Sequence, residues 1–145
     1  MQIPWYVTAI GAALVWGVHY PLVDHALKKL SLVSVLLLTA LPIVVLALLF
    51  HRTLAADYAV WTTLDTGPRI RVLALALTSL LGSVLLFLSI AGKNATLASL
   101  IEISYPMFVA VLAWLLFRET HVNTSVIIGG LLVFAGVAMI IWNNP

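Results

Sequence analysis

The sequence predicts an all-α integral membrane protein with five transmembrane helices. Of its 145 residues, 63% are hydrophobic and only 8% are charged, and the mean hydropathy is +1.17. Soluble domains are roughly 45–50% apolar and about 25% charged, so a soluble chain of this size could not hide so much apolar surface from water. The expected solvent of this chain is therefore lipid, and membrane lipid is its expected partner.

Five apolar stretches are long enough to cross a bilayer, which takes about 20 residues at a rise of about 1.5 Å per residue. They lie within a single domain, residues 1–145, at about 3–27, 30–50, 72–92, 95–117 and 126–142. Lys28 and Lys29 separate the first two stretches. No basic segment precedes the first stretch and aromatic residues interrupt it, so we expect a retained helix there and not a signal peptide.

The longest connection, residues 51–70, has two interpretations. Apolar and aromatic residues recur in it at helical spacing beside two acids, which favours a short amphipathic helix in the headgroup layer. We expect Gly67-Pro68 to end such a helix. The alternative is an irregular loop that places aromatic anchors in the interface.

Composition also excludes several classes of function. The chain has no cysteine, which removes disulfides, thiolate metal sites and thiol catalysis. Its net charge of +2 is small and dispersed, so no nucleic-acid partner is expected. No nucleophile motif or metal-ligand spacing is present, and we predict no enzyme activity, metal or cofactor. His51 and His121 flank helix ends and are expected to be solvated.

The basic residues are nearly balanced between the two sides that five crossings define. Arginines lie on the side of the N-terminus and lysines on the other, namely Arg52, Arg69, Arg71 and Arg118 against Lys28, Lys29 and Lys93. Such a balance favours insertion in both orientations. Two opposed copies would then form one half each of an inverted-repeat transporter with ten helices. The alternative is a single orientation with the 51–70 connection in the cytoplasm.

Glu102 lies inside the fourth stretch, roughly 10 Å from its nearer end by helix rise. An ionised acid at that depth is costly, so we expect it to face the bundle interior, a partner or a wet cavity. Pro106 has no N–H to donate to the carbonyl group four residues earlier, which is that of Glu102. The freed carbonyl and the carboxylate would form an oxygen-rich site for a proton, a cation or an ammonium-bearing substrate.

Two roles remain open for Glu102. In the first, burial favours its protonated form and a bound cation favours its ionised form, which couples substrate uptake to proton release. In the second, protonated Glu102 only joins neighbouring helices by a hydrogen bond. Ser99 shares a helix face with Glu102 and Pro106, so we include it in the candidate site for substrate or proton binding.

His19 is the last candidate of this site. It shares a face of the first helix with Thr8, and Pro21 frees the carbonyl of Gly17 nearby. One interpretation places His19 in the same cavity as Glu102. The other is a hydrogen-bonded packing residue near the membrane border.

Two passages resemble EamA-like proteins of the drug/metabolite transporter superfamily. In residues 12–31, Trp16-Gly17 stands in a helix ahead of a basic residue. Residues 94–140 have an Ala-rich entry and then three features in the order of the family's closing helices: Pro106, Glu119, and Gly129-Gly130 with Gly136. The resemblance covers nearly the whole chain, as one five-helix half of a family whose commoner members fuse two inverted halves. We expect the glycines to serve helix packing.

The resemblance implies a secondary transporter that moves a small metabolite or drug-like solute by alternating access. It would be a multi-pass protein of the inner (plasma) membrane, paired as an antiparallel homodimer or with another half-size chain. Three departures from the family are Asp24, where many members have a basic residue, Thr39-Ala40-Leu41, which lacks the arginine often found in the second helix, and Arg118, where glycine is frequent. Because basic residues are missing at the first two places, the resemblance gives no indication of an anionic substrate. The alternatives are a non-transporting partner subunit of a heterodimeric transporter, or of a lipid-linked-sugar flippase.

Overall fold

The computed structural model describes residues 3–120 and 122–144, so that His121 lies outside the described residues. Helices account for 87% of the structure, and the described residues contain no strand. In these residues we number seven helices: α1 Trp5–Leu27, α2 Leu32–Leu49, α3 His51–Thr63, α4 Thr66–Gly92, α5 Ala95–Glu102, α6 Tyr105–Phe117 and α7 Thr124–Asn143.

Five helical segments are long and apolar enough to cross a membrane. They are α1, α2, α4, the segment Ala95–Phe117 formed by α5 with α6, and α7. The predicted all-α membrane class with five spans is thereby confirmed. Short polar residues begin three of the helices, because their side-chain oxygens accept hydrogen bonds from backbone N–H groups of the first turn. Ser31 accepts from Ser34, while Asn94 and Asn123 do the same at the starts of α5 and α7.

The connection after α2 contains the helix His51–Thr63, so the prediction of a short helix within residues 51–70 is confirmed and the irregular loop is wrong. Its predicted end was wrong, because α3 stops at Thr63 and Gly67-Pro68 lie in the first turn of α4. Proline is tolerated in a first turn since the N–H that it lacks has no partner within the helix there. The span that was predicted to start at residue 72 therefore begins at Thr66.

The fourth predicted helix is broken and not merely kinked. α5 ends at Glu102, residues 103–104 form a turn, and α6 begins at Tyr105. In the turn, the backbone N–H and the hydroxyl of Ser104 both donate to the carbonyl of Ile101, over 3.2 and 2.8 Å. Pro106 occupies the first turn of α6, where its fixed φ suits a helix start.

The chain divides into two compact units. One unit consists of the chain up to Pro21 together with the segment from Gly92 onward. Within it α5 packs against α7, and the side chains of Ala95, Ala98 and Val137 are buried. The thioether of Met107 on α6 lies directly over Gly130 on α7, so close that a Cβ on this glycine would overlap the sulfur. Gly130 therefore serves helix packing, as predicted.

The second unit comprises Leu22–Ala91. In it α2 contacts α3, and the guanidinium of Arg69 in α4 donates to the carbonyl of Thr62 over 2.7 Å. Because carbonyl groups in the last turn of a helix have no partner within that helix, this bond ties the end of α3 to the start of α4. Its buried side chains are apolar and belong to Val23, Val35, Phe87 and Ile90.

Candidate functional site

A hydrogen bond joins α1 to the end of α5 within the first unit. The hydroxyl of Tyr20 donates to Oε2 of Glu102 over 2.7 Å, and both side chains are half-buried. Tyrosine combines an apolar ring, suited to a helix surface in lipid, with a polar tip that seeks a partner when it is removed from water. The carboxylate that the sequence singles out thus has a donor from a neighbouring helix.

The two residues lie at matching depths. Tyr20 lies about 10 Å of helix rise before the end of α1 at Leu27. Glu102 lies the same distance after the start of α5 at Ala95. Two spans, α2 and α4, lie between these helix ends in the chain, so both ends belong to the same side of the membrane. The hydrogen bond is therefore inside the spans, where an unpaired polar group is costly.

Glu102 differs from the other acid inside a membrane-spanning helix. Asp24, close to the end of α1, forms an ion pair with Lys28 one turn later, over 3.1 Å. Glu102 instead accepts a hydrogen bond from a neutral hydroxyl, that of Tyr20. Moreover, the helices α1, α5, α6 and α7, which contribute residues to the first unit, contain no lysine or arginine. When Glu102 is ionised, these helices offer it no lysine or arginine as a counter-ion.

Ser99 and Pro106 are placed by the two halves of the broken helix. Ser99 lies one turn before Glu102 on α5, and its hydroxyl donates to the carbonyl of Thr96 in its own helix over 3.0 Å. Pro106 is exposed in the first turn of α6. Since proline has no N–H, it cannot donate to the carbonyl of Glu102. The carbonyl that ends α5 therefore lies next to the carboxylate in the chain, at a break and not at the predicted kink.

His19 belongs to an aromatic group on α1. Its ring meets that of Trp16 edge to face, with centroids 5.0 Å apart, and lies 6.1 Å from the ring of Tyr20. The rings of Trp16 and Tyr20, one turn apart, are tilted and 5.4 Å between centroids. His19 is thus the chain neighbour of the residue that binds Glu102, and its own ring packs on Trp16.

Tyr20 is the residue that sequence reasoning missed. In the sequence it is one of several aromatic residues that interrupt the first apolar stretch. A signal was present, because a hydroxyl-bearing side chain at about 10 Å from a helix end cannot rest at the headgroup layer, where tyrosine is usually found. Nothing in the sequence states which of the other helices this hydroxyl faces.

The described residues contain no cluster of three or more His, Cys, Asp or Glu side chains that could hold a metal ion. The site consists instead of one carboxylate, one phenolic hydroxyl, two further aromatic rings and a helix break. Such a set of groups can accept or release a proton and can bind a cation. It does not resemble a nucleophilic centre.

Comparison with known proteins agrees with this architecture. No curated protein and no solved structure gives a significant match to the chain. The model of the EamA-like transporter family matches residues 3–142, which includes all five spans up to the last turn of α7 and both halves of the Tyr20–Glu102 pair. Membrane transport of the drug/metabolite type is the activity of this family. The chain belongs to the EamA-like transporter family.

Proposed function

We propose that this protein is a half-size secondary transporter of the inner (plasma) membrane that moves a small solute by alternating access. The observation that carries the proposal is the hydrogen bond between Tyr20 and Glu102. It joins a continuous helix, α1, to the point where the span formed by α5 and α6 is broken. In secondary transporters, broken helices and intramembrane ionisable groups are typical of the substrate site.

Proton coupling through Glu102 follows from the same contact. Ionised Glu102 can accept a hydrogen bond from the hydroxyl of Tyr20 or pair with a cation. Protonated Glu102 has no charge and therefore binds a cation poorly. The other titratable groups near this pair are His19, beside Tyr20 in α1, and Tyr105, which interacts electrostatically with Tyr20. Uptake of a cation on one side of the membrane would then accompany proton release on that side.

We further propose that two opposed copies complete the transporter. Helix faces that carry Gly129 and Gly136 are open in the single chain, since a Cβ at either position would meet no atom within 4 Å. Small residues on an open face allow another helix to approach closely in a membrane. The balance of arginines and lysines between the two sides supports antiparallel pairing. A heterodimer with another half-size chain is the alternative assembly.

Purified protein reconstituted in liposomes tests the transport activity. A thermal-shift screen of amines, amino acids and sugars at two pH values, on the native chain and on Glu102→Gln, selects the solute. We expect stabilisation by the solute to depend on pH in the native chain and to be lost in the variant. The selected solute should then drive proton flux into or out of the liposomes.

Asp57→Asn is the matched control for Glu102→Gln, because it neutralises an acid on the exposed helix α3, outside the spans. The control should transport like the native chain. Proton flux from a single chain species excludes the role of a non-transporting subunit. Flux that appears only with a second half-size chain would support the heterodimer, and equal flux in the native chain and in Glu102→Gln would exclude coupling through Glu102.

A further inference from the structure

The aromatic group on α1 and the carboxylate on α5 are adjacent parts of one surface. Trp16 and Tyr20 are one helical turn apart with ring centroids separated by 5.4 Å, and the hydroxyl of Tyr20 is fixed on Glu102. The side chain of Trp16 is 50% exposed, so part of its ring is accessible to a ligand. A positive charge that pairs with Glu102 is therefore next to the side chain of Tyr20, and the ring of Trp16 is the neighbour of the Tyr20 ring.

This combination of groups discriminates between kinds of ligand. A carboxylate that meets no lysine or arginine on α1, α5, α6 or α7 attracts a cation, and the faces of tryptophan and tyrosine attract the same charge through their quadrupoles. An anion would meet the charge of Glu102 and find no lysine or arginine on α1, α5, α6 or α7. A small inorganic cation gains little here, since hard cations take several oxygen ligands and aromatic rings supply none.

We propose that the site takes an organic ammonium ion whose charged head pairs with Glu102 and packs against the rings of Tyr20 and Trp16. The proposal rests on the proposed function in one respect, in that it names the chemical class of the transported solute. The hydroxyl of Tyr20 and the ammonium head compete for the carboxylate of Glu102. Binding of the solute thus replaces the bond that holds α1 on α5.

The aromatic rings have a distinct part in this site. Trp16 makes no hydrogen bond to Glu102 in the proposal, so its contribution is the attraction between its face and the ligand charge. Because the rings of His19 and Trp16 form a T-shaped pair with centroids 5.0 Å apart, the indole ring has a packing partner on its own helix. Loss of the indole should weaken the binding of an organic cation and should have no effect on the binding of an uncharged or anionic ring compound.

Calorimetric titration of the purified chain in an uncharged detergent tests the proposal with benzyltrimethylammonium as the probe. Phenylacetate and sodium ion are the comparison ligands, as an anion with a ring and a cation without one. We expect the native chain to bind benzyltrimethylammonium and to show no binding of the other two in the same range. Trp16→Leu should lower the affinity for the probe about 5- to 30-fold, which corresponds to the loss of a desolvated cation–π contact. Glu102→Gln should weaken it at least about 10-fold because a desolvated ion pair is lost.

Variants of Tyr20 separate the ring from the hydroxyl. Tyr20→Phe should bind the probe about threefold more tightly because the competing hydroxyl is gone. Tyr20→Leu loses the same hydroxyl and also the aromatic ring, so it should bind the probe about 5- to 30-fold more weakly than Tyr20→Phe. Trp142→Leu is the control, since this tryptophan is 87% exposed on α7 and belongs to another helix. Thermal unfolding of each variant verifies folding, and Trp16→Phe provides a milder change should Trp16→Leu not fold.

Equal affinities in Trp16→Leu and Trp142→Leu, or competition by sodium at the same concentrations, would overturn the proposal. So would binding of phenylacetate as tight as that of the probe. The proposed transport function fails separately. If the chain binds the probe but moves no solute in liposomes, the ammonium site is supported and the transport function is contradicted. If the chain transports an uncharged solute without binding the probe, the transport function is supported and the ammonium site is contradicted.

Discussion

Oη of Tyr20 lies 2.7 Å from Oε2 of Glu102 and joins two membrane-spanning segments whose residues are 82 positions apart in the chain. Neither group can reach water through a long flexible side chain at this depth, because snorkelling belongs to lysine and arginine near helix ends. The pair thus satisfies two polar groups at once. It also makes the carboxylate available to anything that can replace the hydroxyl.

The first prediction concerns the strength of this bond. Tyr20→Phe should lower the free energy of unfolding in detergent by about 0.5–1.7 kcal/mol, the range measured for hydrogen bonds between transmembrane helices. Tyr6→Phe is the matched control, since Tyr6 is exposed at the start of α1 and should lose nothing by the change. Circular dichroism during chemical denaturation measures both variants.

A double-mutant cycle of Tyr20→Phe and Glu102→Leu isolates the pair. Because the two changes remove the same hydrogen bond, their combined cost should be smaller than the sum of the single costs. Strict additivity of the two costs would contradict the contact.

The second prediction concerns the contact between α6 and α7. Gly129 and Gly130 are neighbours in α7, yet only at Gly130 would a Cβ overlap the sulfur of Met107. Gly129→Ala gains helix propensity of up to about 1 kcal/mol and meets no atom of its own chain, so it should not destabilise the fold of the single chain. Gly130→Ala gains the same propensity but displaces the flexible end of Met107, so it should be less stable than Gly129→Ala by about 1 kcal/mol, the low end of the cost of overpacking.

A second change checks the cause of this difference. Met107→Ala removes the overlapping side chain, so Gly130→Ala in that background should cost less than in the native chain. The measurement is the unfolding midpoint of the four variants at one detergent concentration. A difference between Gly129→Ala and Gly130→Ala that persists without Met107 would show that another neighbour is responsible.

Most of the fold could be predicted because the membrane imposes a single requirement on every span. Long apolar stretches must be helical to satisfy their backbone groups, and polar residues such as Ser31, Asn94 and Asn123 mark where the helices begin. The break after Glu102 could not be predicted in the same way. A proline four residues after Glu102 fits a kink in a continuous helix as well as the first turn of a new one.

The candidate site could be predicted in part for a related reason. Glu102 stands out because an acid inside a span is costly wherever it points. Its partner does not stand out, since hydropathy assigns helices but not the faces on which they meet. Gly130 and Gly129 show the same limit, because equal residues at adjacent positions differ only in what the neighbouring helix places opposite them.

The third prediction concerns the end of α6. Arg118 adopts the left-handed conformation with φ 59°, which glycine adopts freely and other residues adopt at a cost of roughly 1–2 kcal/mol. Its guanidinium stacks on the ring of Trp114 at 5.2 Å, and this contact is worth about 0.5–1 kcal/mol at an exposed site. The stacking offsets part of the cost of the backbone conformation.

The stability of variants at this position should therefore depend on how easily the new residue adopts the left-handed conformation, and not on its charge. Arg118→Gly relieves the backbone and loses the stacking, so its stability should equal or exceed that of the native chain. Arg118→Ala loses the stacking and keeps the backbone cost, and we expect it to be less stable than Arg118→Gly by about 1–2 kcal/mol. Thermal unfolding compares the two variants, and the reverse order would contradict the left-handed conformation of this residue.

The last prediction concerns orientation in the membrane. Five crossings put the C-terminus on the side of the lysines, opposite the arginines at the start of α3, at the start of α4 and at the end of α6. Because positively charged loops stay in the cytoplasm, four arginines against three lysines give almost no preference. Reporters fused to the C-terminus should therefore give signals on both sides of the membrane.

Charge variants should shift this distribution in opposite directions. Arg52 and Arg71 are exposed, so replacing both with alanine leaves the lysine side richer in charge and should move the C-terminal signal to the cytoplasm. Replacing Lys28 and Lys29 with alanine should move it to the opposite side. Since both pairs remove two charges, hydropathy and overall charge change alike, and only the sidedness differs. A native chain that reports on one side only, and keeps that side in both variants, would exclude antiparallel pairing of identical copies.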